Sequence, residues 1–360
     1  MNISSSKNLI PTSIVGSITR PVWLIEARKA FSGGEIGKEE LDKLSDIAAE
    51  LTIEELERTG LDEISDGEQR RTNFFEYLTE AVEGYEPHKI PLKFGAETYY
   101  EPGVVRKIKW SEPVALRELT FSKKITNKPI KVPQPPITRL LRFYPPEGVS
   151  GYSREQYLED AIELLKFEYG ALLDGGAARI QIDFPDITPY STLPNRTEAS
   201  RKVSEAVDLV NETIKMFPQE KIHVHVCFGN HKATHRVTGG SFRNLIPELY
   251  ELHVSGYLLE LANAQHEDDV QIFKDFPVPK GKRIYAGVID VKTPDVEPGW
   301  LVKKRLERAA KYIDTSSLGA VADCGFAPGW YSTVIPRRAN FQKLATMANA
   351  VKEYSEDSGR

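Results

Sequence analysis

The sharpest chemical signal in this 360-residue chain is the run His223-Val224-His225-Val226-Cys227. Its composition reads as a β-strand, where side chains two apart face the same way, so His225 and Cys227 project together. An imidazole and a thiolate side by side suit zinc, which favours nitrogen and sulfur ligands in a tetrahedron. The tripeptide alone is compatible with a duller role, since a strand cysteine also serves as a small buried apolar group. The only other cysteine stands in Asp323-Cys324-Gly325, where a second strand gives way to a loop. A carboxylate is available in Gly256-Tyr257-Leu258-Leu259-Glu260, and a salt bridge at a barrel rim is the competing use of Glu260. His223, on the same face as His225, reads as a deeper, hydrogen-bonded core histidine rather than a ligand.

Something must bring these residues together. Short apolar runs alternate with helical patterns, which argues for parallel βα units. The candidate strands are Ser13–Ile18, Glu63–Asp66, Ile130–Pro133, Arg179–Asp183, His223–Phe228, Tyr257–Leu261, Ile284–Ile289 and Ala320–Asp323. This pattern predicts an α/β fold, a (β/α)8 TIM barrel occupying the whole chain as one domain. In such a barrel the C-terminal strand ends form the active face, so distant residues meet there. The stretch from Gly84 to Pro136, with a further strand-like segment at Val104–Trp110, reads as an inserted hairpin or flap. Helices are expected after Gly37 (Leu41, Leu44, Ala48 and Leu51 on one face), from a Ser153/Gln156 capping box, and over Phe341–Val351 before a polar tail. The segment 229–240, carrying His231 and His235, reads as a loop over the site.

Composition narrows the function classes. The chain is 40% hydrophobic and 28% charged, enough for a large core. A net charge of −5 supplies no basic field for nucleic acid or an anionic membrane. Neither a spanning segment nor an apolar signal core is visible, and two cysteines form no disulfide framework, which together point to a cytoplasmic protein.

Taken in order, Val15-Gly16-Ser17, Asp66-Gly67-Glu68, Ile180-Gln181-Ile182-Asp183, His225-Val226-Cys227, Glu260 and Asp323-Cys324-Gly325 resemble the catalytic barrel of the cobalamin-independent methionine synthases. The stretches HVCFGN (225–230), LELANAQH (259–266) and GVID (287–290) are most similar to a short, single-barrel branch that also includes the epoxyalkane:coenzyme M transferases. The resemblance runs from about residue 13 to 350. It implies a Zn2+ ion held by His225, Cys227, Glu260 and Cys324, with homocysteine as the thiol substrate that receives a methyl group to give methionine. Two thiolates and a carboxylate against the ion would leave a net single negative charge, keeping a coordinated substrate sulfur electron-rich. The backbone of Val15, Gly16 and Ser17 matches the segment that holds the amino acid carboxylate. Glu68 and Asp183 match the catalytic-site carboxylates that receive its ammonium group, with a turn at Asp66-Gly67 and a helix cap at Asp183 as their competing roles.

Three departures bear on the methyl donor. The chain has no room for the second barrel of the long, folate-dependent enzymes. Lys292 stands where they place a histidine, and the segment Pro136–Tyr144 lacks the tryptophan on which a pterin would stack. Arg139 and Arg142 there read as solvated or as contacts for anionic groups of a donor, and Asp186 as a pocket residue or helix cap. A donor that leaves without protonation, methylcobalamin free or on a corrinoid protein, is therefore expected ahead of methyltetrahydrofolate. Alkyl transfer to another thiol such as coenzyme M, a catalytically silent zinc-binding scaffold, and a metal-free relative of uroporphyrinogen decarboxylase stand as alternatives. Glu68 and Asp183 count against coenzyme M, whose sulfonate wants cationic partners.

Overall fold

Strands covered on both faces need continuous apolar sequence rather than alternation, and the central strands here have it. The computed structural model describes residues 10–94, 97–230, 233–234 and 240–358. An antiparallel pair, β1 (Glu83–Phe94) and β2 (Glu97–Lys109), precedes a six-stranded parallel sheet: β3 (Lys131–Gln134), β4 (Arg179–Asp183), β5 (Ile222–Val226), β6 (Gly256–Leu259), β7 (Arg283–Ile289) and β8 (Leu318–Ala322). Parallel bridges Thr12↔Ala320, Ser13↔Glu63 and Ile64↔Ile130 join the two ends of that sheet through two short segments, closing a ring of eight. The fold is the α/β barrel that the sequence pattern predicts, and each expected strand has a counterpart.

The first two strands are shorter than expected. Past Ser13 and Ile64 the chain leaves the sheet: Ile18 N–H donates to Gly67 O at 3.1 Å, so the segments around 16–18 and 65–68 bond to each other at the mouth. The expected insertion is also smaller than Gly84–Pro136. The hairpin ends at Lys109; a helix, Leu116–Ile125, follows and β3 then enters the barrel. Buried Glu101 of β2 meets Arg139 and Arg142, each at 3.0 Å, which ties the hairpin to the loop after β3.

The expected helices form at Lys38–Arg58, Arg154–Asp174 and Arg337–Ser358. The Ser153/Gln156 capping box is present in both directions, at 3.2 and 2.9 Å. In the first helix Leu51 faces solvent, 45% exposed, and Thr52, Ile53 and Leu56 take the core positions instead. The C-terminal tail stays helical to Ser358, held by Lys303, which reaches Glu353 at 2.6 Å. Among the described residues no helix is long and apolar enough to cross a membrane.

Candidate active site

Adjacent parallel strands deliver their C-terminal residues to one end of a barrel, and here those residues carry the chemistry. Cys227 directly follows β5, Glu260 follows β6, Lys292 lies just beyond β7 and Cys324 just beyond β8. The Sγ atoms of Cys227 and Cys324 lie 3.5 Å apart, too far for the ~2.0 Å of a disulfide, and both cysteines are free and buried. A ring nitrogen of His225 joins them, the three ligand atoms lying within 4.8 Å of one another. His225 Nδ1 meets Leu258 O at 3.1 Å, while its buried Nε2 has no hydrogen-bond partner. A buried, unpartnered imidazole nitrogen beside two sulfurs is a set that fits a soft divalent cation.

The electrostatics agree. The hydrogen bond from Cys324 holds the Cys227 thiol well below its ordinary value, against burial and with help from His225. Cys324 is pushed well above it by the same bond and by burial. Burial opposes charge on His225, but Cys227 and Asp183 outweigh it and raise the ring.

Glu260 stands outside this close group. Its fully buried carboxylate is occupied: Oε1 pairs with the Lys292 ammonium and accepts from Asn263 Nδ2 at 2.5 Å, and Oε2 accepts from Phe228 N–H at 2.6 Å. The expected fourth ligand is thus engaged by donors from three neighbouring loops. Asp323, singled out in the sequence only as a neighbour of Cys324, proves to be the anchor of this region. Its carboxylate accepts from the amides of Leu261, Ala262 and Asn263 at 2.7–2.9 Å, locking the loop after β6 against that after β8. Burial, then Glu260 and Asp290, push it up to about 8. A Cβ at Gly287 would lie 2.0 Å from Asp323 Oδ1 and 2.8 Å from Leu259 O, so glycine is required for that close approach. Asn230 adds a strap, donating to Gly325 O at 2.7 Å.

The substrate-facing candidates also gather at the mouth. Asp183, last residue of β4, pairs in register with His225 and accepts from Gln181 Nε2 at 2.7 Å. Burial raises it to about 6. Glu68 adopts φ +56°, its buried Oε2 has no partner, and burial first, with Asp183 adding, pushes it up to about 7. Arg20 fixes this loop by donating to Glu68 O at 2.6 Å, Arg71 O at 2.9 Å and Ala327 O at 2.7 Å, a role no local motif announced. A Cβ at Gly16 would lie 2.2 Å from Glu68 Oε1. Val15 gives its carbonyl to Gln181 Nε2 and Ser17 its carbonyl to Phe326 N–H, while the Gly16 and Ser17 amides donate no hydrogen bond among the described residues. Asp183 therefore stands beside His225, and Glu68 packs against Gly16, with burial raising both carboxylates.

Other expectations need correction. Arg139 is neither solvated nor free for a donor: it is buried and meets Asp186 at 2.5 Å as well as Glu101. Asp186 is accordingly an ion-pair partner rather than a pocket residue or cap. His223 is in the core as expected, but its Nδ1 has no hydrogen-bond partner and the ring lies 5.1 Å from that of Tyr285. His231 and His235 fall outside the described residues.

The sequence profile of the cobalamin-independent synthase catalytic domain matches residues 10–352. The chain belongs to this family. Among relatives of the cobalamin-independent synthase barrel, the methionine synthase of Sulfurisphaera tokodaii is 28% identical over 357 residues, spanning 97% of this chain and 94% of its own. That of Pyrococcus furiosus is 26% identical over 351 residues, spanning 96% and 92%. The solved B12-independent methionine synthase from Shewanella sp. W3-18-1, in complex with selenomethionine, shares the fold at a TM-score of 0.78 with 22% identity, covering 97% of this chain and 98% of that one. The chain is thus a methyltransferase of the methionine synthase type, and its His225–Cys227–Cys324 cluster is one that can hold a metal ion.

Proposed function

We propose that the chain is a zinc-dependent methyltransferase, one barrel from end to end, that converts homocysteine to methionine in the cytoplasm. The observation that carries this reading is the pair of free thiols 3.5 Å apart with the unpartnered His225 Nε2 beside them at the barrel mouth. A zinc ion held by His225, Cys227 and Cys324 would supply the Lewis acidity that ionises an incoming thiol near neutral pH. Glu68 and Asp183 receive the substrate ammonium, and the Gly16 and Ser17 amides receive its carboxylate. Between them these contacts orient the side chain so that its sulfur reaches the cage. The sulfur lone pair then forms the new S–CH3 bond while the donor keeps the electrons of the bond that breaks; the thiol proton has already gone to solvent.

The donor is read from what Lys292 is doing. Its ammonium is engaged by Glu260, which leaves no free acid at that position to protonate a departing folate nitrogen. This supports methylcobalamin, free or carried on a corrinoid protein, ahead of methyltetrahydrofolate. The test is a donor panel (methylcobalamin, methyltetrahydrofolate and its polyglutamate) with homocysteine, scored for methionine in zinc-loaded and chelator-stripped protein. Zinc-dependent methionine from one donor is expected. Calorimetric binding of coenzyme M but not homocysteine would overturn the substrate assignment.

A further inference from the structure

The segment Ile180-Gln181-Ile182-Asp183 contributes Asp183 to the site and leaves Gln181 without a role. The two share one face of β4, and their register partners on β5 are His223 and His225, so Gln181 lies one layer below Asp183. A glutamine amide carries two N–H donors. Gln181 Nε2 spends them on Val15 O at 2.8 Å and Asp183 Oδ1 at 2.7 Å. A backbone carbonyl can only accept, so the NH2 rather than the oxygen must face Val15, which fixes the orientation of the amide. Gln181 is fully buried and its Oε1 has no hydrogen-bond partner, so these two bonds hold the group in place. An apolar side chain would fill the same space without the cost of a bare carbonyl oxygen, so it is the N–H groups that need explaining. Their acceptors belong to the two halves of the amino acid subsite. Val15 O shares a planar trans peptide with the Gly16 N–H, so drawing the carbonyl to Gln181 aims that N–H away from it. Asp183 is the other half. Glu68 backs the turn from a further side, since a Cβ at Gly16 would lie 2.2 Å from its Oε1.

We propose that Gln181 is a positioning residue that sets substrate specificity: its one amide fixes the spacing between the backbone N–H that receives the substrate carboxylate and the Asp183 carboxylate that receives its ammonium. The site then accepts thiols that carry both groups on one carbon, α-amino acids, and rejects those that carry only one. The proposal rests on the amino acid reading of the site above and deepens it. Where two receptors stand at a matched spacing, the second contact forms within a molecule already bound, and its gain multiplies the first. A ligand with a single charged group draws nothing from that match, because it shifts to suit whichever receptor it meets. Loss of the amide should therefore penalise the complete amino acid and spare its fragments.

The experiment is calorimetry of the full-length protein with three ligands: methionine, 3-(methylthio)propylamine, which lacks the carboxylate, and 4-(methylthio)butanoate, which lacks the ammonium. Wild type should bind methionine at least about 100-fold more tightly than either fragment. Gln181→Met, close in shape but without donors, should weaken methionine about 10–100-fold while both fragments stay within about threefold of wild type and the metal content is unchanged. Gln181→Asn, whose amide is one methylene too short to span both acceptors, should show the same pattern, and it decides the matter if Gln181→Met fails to fold. Equal weakening of all three ligands, the mark of a role in folding alone, overturns the proposal. So does methionine binding within about threefold of wild type in the variants. A wild-type protein that holds either fragment as tightly as methionine would instead bring down the amino acid reading itself.

Discussion

His223 and His225 lie two residues apart on one face of one strand, and the molecule treats them in opposite ways. His225 is at the mouth, where Cys227 and Asp183 raise its ring above the ordinary value against burial. His223 is on the barrel floor, where burial first, and Arg179 and Lys131 next, lower it to about 3 even with Glu63 nearby. Around it Lys131 donates to Ser13 Oγ at 2.9 Å, and Arg179 reaches Glu63 at 2.5 Å; every charge there has a partner inside the protein. Unsatisfied atoms occur in both regions, His223 Nδ1 and Arg179 Nε on the floor and His225 Nε2 and Glu68 Oε2 at the mouth, but the Glu68 carboxylate is the one that lacks an ion-pair partner as well among the described residues. Floor and mouth are both buried and polar, but one is electrostatically closed and the other is waiting for something. Paired against unpaired charge, rather than burial, separates the two regions: the floor's ions meet partners inside the protein, although nitrogens there also lack hydrogen bonds.

The largest break in that contrast is Cys227→Ser. It removes a thiolate from the cage, and its cost in zinc affinity should exceed the roughly 10–100-fold typical of residues that merely support ligands. Elemental analysis should find the variant metal-free, and methionine formation should be abolished. Next come Glu68→Gln and Asp183→Asn, each deleting a charged hydrogen-bond partner of the proposed ammonium. Each is expected to raise the KM for homocysteine about 10–100-fold, while zinc content stays at wild type. Gly287→Ala tests the Asp323 anchor: with the new methyl driven into Asp323 Oδ1, overpacking should cost about 1–3 kcal/mol in denaturant unfolding.

A smaller effect is the pH response of Glu68. Its value near 7 in the folded protein lies above the ordinary 4.5, so the folded state holds the proton more tightly than the unfolded one. The resulting stabilisation is full below about 4.5 and is lost as pH rises through about 7. Ligand binding runs the other way, since an ammonium needs the ionised carboxylate. Calorimetry with methionine, which has no thiol to confuse the titration, should show affinity rising between pH 5.5 and 8, with a flatter profile in Glu68→Gln.

The barrel and the thiol pair were legible in sequence because both rest on local pattern: short apolar runs alternating with helical ones, and cysteines at strand ends that a barrel must bring together. What escaped notice depends on partners far along the chain. Glu260 among apolar residues reads as a ligand or a rim salt bridge, and only the fold shows that its ionic partner is Lys292, 32 positions away. Asp323 looks like part of a cysteine motif until three amides from residues 261–263 are found on it. Arg139 looks like a surface charge until β2 brings Glu101 over it. Charge pairing carries no periodicity, so only the fold reveals which charges are spent. The extent of the hairpin was obscured for a related reason: its prolines and lysines run on into the helix 116–125, whose Glu118 is buried against Arg71 rather than displayed.

The least disruptive change tests the floor. His223→Phe replaces a ring whose Nδ1 makes no hydrogen bond with one of similar shape, packed against the same Tyr285. Gly256 sets the tolerance, because its backbone passes so close that a Cβ there would lie 2.6 Å from the His223 ring. A near-isosteric swap in this slot should cost under about 1.5 kcal/mol. Zinc affinity and methionine formation should stay within threefold of wild type. A metal-free His223→Phe protein would mean that the floor histidine takes part in holding the ion, and the division between closed floor and open mouth would have to be redrawn one strand-step deeper.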